Sequence, residues 1–268
     1  MCSATKPEDN EQAPGSKMQM VHNAWVIGRL HLHRRYCHSF LGAAWSWMHP
    51  VVYLLILWVV FSHLMPHFDN YFVYLAAGLL PWTFFRQGLT VSSTVLIQHR
   101  TIFYANPISF EVHVFGTLTA ELLHFFSAFL ILLLFMVIMG GSVGWHLLGI
   151  PLFLLNLILF TYACGLIVAF LTPIYRDINH LLQLFFTFGF WLMPIVYHWS
   201  SLSAPYQWLV KYNPLTLVIS PFQILLHGGQ WPTTKMMLIS FGTVAATVWL
   251  AWHLATRTQL RQRIIYHL

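Results

Sequence analysis

VFGTLTAELLHFFSAFLILLLFMVIMG, residues Val114 to Gly140, decides the class of this protein. A helix needs about 20 mainly apolar residues to cross a bilayer, and this run exceeds that with one carboxylate, Glu121, inside it. The rest of the chain agrees. Of 268 residues, 58% are hydrophobic, 17% aromatic and only 7% charged, a surplus of apolar surface that no soluble domain of this length can hide. The formal charge of +6 then reads as membrane topology rather than affinity for nucleic acid.

Working outward, five further runs are long enough to span. The first covers about Met48 to Met65, opened by Pro50, and the second about Tyr71 to Ile97, where Gly78, Pro81, Arg86 and Gly88 predict a kinked or widened span. Leu147 to Leu171, Leu181 to Tyr197 and Met236 to Ala255 complete the set. Between the last two lies HWSSLSAPYQWLVKYNPLTLVISPFQILLHGGQWPTTK, residues 198 to 235, too rich in Pro, Gly and polar groups for another span. Its apolar content predicts short re-entrant or interfacial helices, because irregular backbone at membrane depth must be covered by protein or line a wet path.

Positive residues set the orientation. With the amino terminus inside, the inner segments carry Lys17, Arg29, Arg34, Arg35, Arg100, Arg176, Arg257, Arg261 and Arg263, against Lys211 and Lys235 outside. The expected architecture is an all-α membrane protein of six transmembrane helices with both termini cytoplasmic. Residues 1–20 hold three of the seven acidic residues and no apolar signal core, and read as a disordered cytosolic tail. Residues 21–46 read as an amphipathic interface helix and 47–268 as the membrane domain. In HLHRRYCHSFLGAAWSWMHP, residues 31–50, Arg34 and Arg35 suit anionic headgroups and the tryptophans suit the interface. A metal site is the competing reading for His31, His33 and His38, but their spacing does not put three ligands on one helical face.

The chemistry on offer is limited. There is no Gly-rich phosphate loop, so ATP-driven work has to come from a partner. Outside the tail only Asp69, Glu111, Glu121 and Asp177 are acidic, which argues against a membrane hydrolase or glycosyltransferase. Cys2, Cys37 and Cys164 show no paired spacing. Arg86 and Glu121 are charges at membrane depth, open to a structural ion pair across the bundle or to a substrate role. Arg176 and Asp177 read as a local salt bridge, a helix cap or part of the cytoplasmic entrance. Tyr53, Leu57 and Phe61 recur four apart, and Gln183, Phe186, Phe190, Met193 and Tyr197 share one helical face. Such faces either pack or line a path on which sugar rings stack, with Gln183 meeting hydroxyls.

The landmarks RRYCHSFLGAAWSWMHP, GLLPWTFF, IFYANPISFEV, YRDI, PIVY and YNPLTLVIS, in that order, resemble the type-2 ABC transporter permeases, specifically the exporters of O-antigen, capsular polysaccharide or teichoic acid. The resemblance covers about residues 29 to 225. It implies a homodimer in the bacterial inner membrane working with two copies of a nucleotide-binding ATPase, where ATP and Mg reside, this chain holding no cofactor. It implies a coupling helix at about Gln98 to His113, including Arg100, Phe103, Tyr104, Asn106 and Pro107. It further implies a periplasmic gate at Tyr206, Trp208, Asn213 and Pro214, and a path for a lipid-linked polysaccharide lined by Tyr53, Leu57, Phe61, Gln183, Phe186, Phe190 and Tyr197. Two positions depart from the pattern. Ala105 stands where a basic residue is often found, and the Arg that commonly follows the NP motif is replaced near Phe222 and Gln223. A drug or small-lipid exporter of the same class, or an enzyme acting on a lipid-linked sugar, are the competing functions.

Overall fold

The computed structural model describes residues 26–28, 44–63, 70–98, 109–138, 144–257 and 264. Its regular structure is helical throughout, with no strand among the described residues. In chain order the helices are α1 (Ala44–Ser62), α2 (Tyr71–Gln98), α3 (Phe110–Ile138), α4 (Ile150–Leu171), α5 (Ile178–Trp191), α6 (Ala204–Lys211), α7 (Pro214–Leu226) and α8 (Thr234–Ala255). Short 3-10 turns at Trp145–Gly149 and Trp199–Ser201 precede α4 and α6.

Among the described residues three stretches are long and apolar enough to cross a membrane: α3, Trp145–Leu171 and α8. A fourth arises if α6 and α7, bent 88° to one another, count as one broken span. At 28 residues α2 is long enough, about 42 Å at 1.5 Å per residue, yet less apolar. Its position supplies the reason. α2 is the central helix, touching α1, α3, α4, α5 and α7, and its Ser92 and Ser93 are buried in protein, with Thr83, Gln87 and Thr94 half-buried. Pro81 lies inside this one helix.

Small residues bring α2 and α4 together. A Cβ placed on Gly88 would stand 2.7 Å from Thr161 Cγ2, and one on Gly165 would stand 2.7 Å from Ser92 Oγ. Backbones approach this closely only where side chains are minimal, the usual device of helix pairs in membranes. Elsewhere aromatics fill the core: Phe125 stacks on Phe129 with ring centroids 5.3 Å apart, and Phe129 meets Phe222 of α7 at 6.1 Å. Asn156 of α4 donates to Ser240 Oγ of α8 at 2.8 Å, both residues buried.

The short helices have local causes. Asn213 opens α7, its Oδ1 accepting from the Leu215 N–H at 3.0 Å, and Pro214 takes the first helical position. At the end of α5 the structure corrects the sequence reading, which carried one helix and one residue face on to Tyr197. The helix stops at Trp191 and the chain turns through Leu192–Tyr197. Pro194 lacks an N–H and disfavours helical backbone at Met193, so the apolar run continues while the helix does not.

Candidate transport path

The aromatic residues of α5 form a seam with α1 and α2. Trp82 of α2 meets Phe186 edge-on at 6.0 Å and Phe190 at 6.2 Å. Tyr53 of α1 reaches Phe190 at 6.0 Å, and Phe61 reaches Trp191 at 6.4 Å. Leu57 and Phe190 are buried within the protomer, whereas Phe186 is half-buried and Gln183 exposed. The opposite side of α5 is bare: Leu181, Leu184, Phe185 and Phe188 are 44–64% exposed. α5 thus seats one flank on α2 and presents a long apolar flank, with His180, Gln183 and Thr187 as exposed polar groups, to whatever lies beside it. Flat ring faces with spaced amide and hydroxyl groups are the chemistry that grips an amphipathic ligand.

Beyond Trp191 the turn is tied down by side chains. Tyr71 donates to the Val196 carbonyl at 2.8 Å, and the Tyr74 hydroxyl lies 2.8 Å from the Pro194 carbonyl and 3.0 Å from that of Tyr197. From α7, Gln223 Nε2 donates to the same Pro194 carbonyl at 3.0 Å. Tyr197, half-buried, donates back to the Trp191 carbonyl at 3.0 Å instead of extending the α5 face. Next to it, His198 Nδ1 accepts from the Ser200 N–H at 3.3 Å, closing the 3-10 turn. Burial, followed by the neighbouring His227, holds the His198 ring below the usual histidine value. Tyr206 and Trp208 of α6 are more than 60% exposed, and Lys211 Nζ sits 5.1 Å from the Trp199 ring centroid.

Residues 22–227 match the family described as ABC-2 type transporter. The chain belongs to that family. In it the membrane-spanning subunit carries no ATPase of its own, and a separate subunit hydrolyses ATP. The permease is similar to an O-antigen export system permease protein RfbA of Klebsiella pneumoniae, 27% identical over 83% of this chain and 87% of that protein. A second Klebsiella pneumoniae RfbA is 28% identical over 76% and 80% of the two chains. The RfbA protein of Myxococcus xanthus is 22% identical over 82% and 86%.

Arg86 is half-buried, its Nε has no hydrogen-bond partner among the described residues, and it acts electrostatically on Tyr53. Glu121 is buried on α3, and no Arg86–Glu121 ion pair occurs among the described residues. Arg176 and Asp177 are both exposed; Asp177 occupies the residue before α5 but makes no side-chain cap bond. Arg34, Arg35, Arg100, Phe103, Tyr104, Asn106 and Pro107 lie outside the described residues, as does most of the expected interface helix. Phe110–His113, assigned by sequence to the coupling segment, belong to the first turn of α3. Among the described residues no group of three metal-ligating side chains occurs.

Sequence reasoning missed Trp82, the ring at the middle of the seam, and the donors Tyr71, Tyr74 and Gln223. One signal was available: Tyr71, Tyr74 and Gly78 follow at three and four residues, on one face of α2.

Proposed function

We propose that this permease is the transmembrane subunit of an ATP-driven exporter that moves a lipid-linked polysaccharide across the bacterial inner membrane. The observation that carries this reading is the match, over most of both chains, to permeases named for O-antigen export. The aromatic seam gives it physical support, since sugar rings offer C–H faces to flat apolar walls while their hydroxyls need groups such as Gln183.

In this reading two copies pair and two copies of the ATPase, holding ATP and Mg, dock on the cytoplasmic side. α1, α2, α3, α4, α5 with its turn, and α8 make six crossings with both termini cytoplasmic, an orientation supported by the inner bias of arginines. Tyr53, Leu57, Phe61, Gln183, Phe186, Phe190 and Tyr197 belong to the path wall. Leu57 and Phe190 shape it from behind, because both are buried in the protomer. Arg34, Arg35, Arg176 and Asp177 mark the cytoplasmic entrance, and Arg100 to Pro107 the ATPase contact. The bent pair α6–α7, with Tyr206, Trp208, Asn213 and Pro214, forms the periplasmic gate.

The test is deletion of the gene followed by chemical identification of the glycan that builds up undelivered on its lipid carrier. Accumulation reversed by the plasmid-borne chain is the expected result. Turnover of a lipid-linked sugar by the purified chain without any ATPase would overturn it.

A further inference from the structure

We infer that Gln223 is a positioning residue that anchors the end of α5 to the rigid core, leaving the helix to swing about that point when the path opens. The inference rests on the export reading above and adds to it the place about which the path wall moves.

The turn after α5 is the origin of the requirement. Met193, Ile195 and Val196 are all 2% exposed or less, so this backbone leaves the helical ladder where water cannot replace the lost partners. The Pro194 carbonyl is satisfied from two directions, by the Tyr74 hydroxyl of α2 and the Gln223 amide of α7. The hydroxyl has one hydrogen, shared between the Pro194 and Tyr197 carbonyls, so the Gln223 amide is the donor that Pro194 does not share. Tyr71 and Tyr74 bind the turn to α2; Gln223, itself 4% exposed, binds it to α7.

The partners on either side are packed into the protomer. The part of α7 around Phe222 is fully buried against Phe125 and Phe129 of α3, away from the Asn213–Pro214 end assigned to the gate. A Cβ on Gly78 would stand 2.6 Å from Gln223 Nε2 and 3.4 Å from Ile195 Cγ2, so α2 leaves the amide one place to sit. Below this point α5 touches α2 through ring contacts and has a bare opposite flank. Apolar burial is non-directional and ring pairs add only a modest preference of angle, whereas a hydrogen bond to a buried carbonyl fixes a direction. A helix clamped at one end and greased along its length pivots.

The residue type follows as well. An amide supplies the N–H without placing a charge in a buried pocket.

The experiment uses the complex of permease and ATPase purified from its host, in lipid nanodiscs. Hydrogen–deuterium exchange is followed at residues 192–197, alongside ATP hydrolysis and export in cells. Gln223→Leu keeps the bulk and removes the donor. It is expected to speed exchange at 192–197 roughly tenfold and to lower export about fivefold, with ATP hydrolysis within about twofold of wild type. Gly78→Ala is expected to do the same in the native background and to add nothing to Gln223→Ala, because the two act through one contact. Unchanged exchange in Gln223→Leu would refute the anchor. Faster exchange with undiminished export would show an anchor that positions nothing. Exchange requires no substrate, so an error in the export assignment would appear separately, as an inactive transport assay in wild type with the exchange pattern intact.

Discussion

At Gly88 one hydrogen in place of a methyl group decides how closely α2 and α4 meet. Gly88→Ala puts carbon 2.7 Å from Thr161 Cγ2 and 2.8 Å from Leu118 Cδ2, and is expected to cost about 1–3 kcal/mol, read as a lower Tm of the purified complex. Adding Thr161→Ser removes one of the two contacts and restores part of the loss. His198 is the residue through which pH acts on the turn before α6. Its Nδ1 accepts from Ser200 and its ring is held below the usual value of 6.5, so the neutral form belongs to the fold. A base with a depressed value contributes stability above 6.5 that fades as pH falls through its folded value. Limited proteolysis at Trp199–Ser201 should therefore be faster at pH 5 than at pH 7.5, and His198→Asn should flatten the difference.

On the scale of elements, α5 separates two kinds of aromatic residue that look alike in sequence. Phe190 is 5% exposed and touches Tyr53, Trp82 and Trp191. Phe190→Ala opens a cavity and is expected to cost about 3–5 kcal/mol, lowering both Tm and export. Phe186 is half-buried, so Phe186→Ala should reduce export while Tm stays close to wild type; export at the native rate would remove it from the path wall. The long helices were legible because lipid demands continuous apolar sequence, and α3, α4 and α8 lie within a few residues of their predicted bounds. The end of α5 was not, because Leu192–Tyr197 are as apolar as a helix and only Pro194 marks the stop. The partners that hold the turn stand far away in sequence, Tyr71 being 125 residues from Val196. Periodicity reports the face of one helix and says nothing about which distant donor meets a bare carbonyl.

For the molecule as a whole, the perimeter is the feature that needs an environment. Leu130, Leu134 and Ile138 of α3 and Leu238, Trp249 and Trp252 of α8 are 60–71% exposed, and the Phe188 side of α5 is 44–64% exposed. Lipid suits the first two faces; the flank of α5, with its Gln and Thr, suits a path shared with a second copy. In a background lacking Cys2, Cys37 and Cys164, cysteine at Phe188 should cross-link two copies, and cysteine at Trp252 should not. The reverse pattern would place the protomer contact at α8. The 14 residues of α5 have a last consequence: at 1.5 Å each they span about 21 Å, against about 30 Å of hydrocarbon. On the export reading the helical part of this wall is therefore shorter than the bilayer is thick, and the turn at Leu192–Tyr197 makes up the rest of the crossing. In the proposed path, the shorter the dry helical wall a hydroxyl-rich chain must pass, the fewer of its units are stripped of water at once.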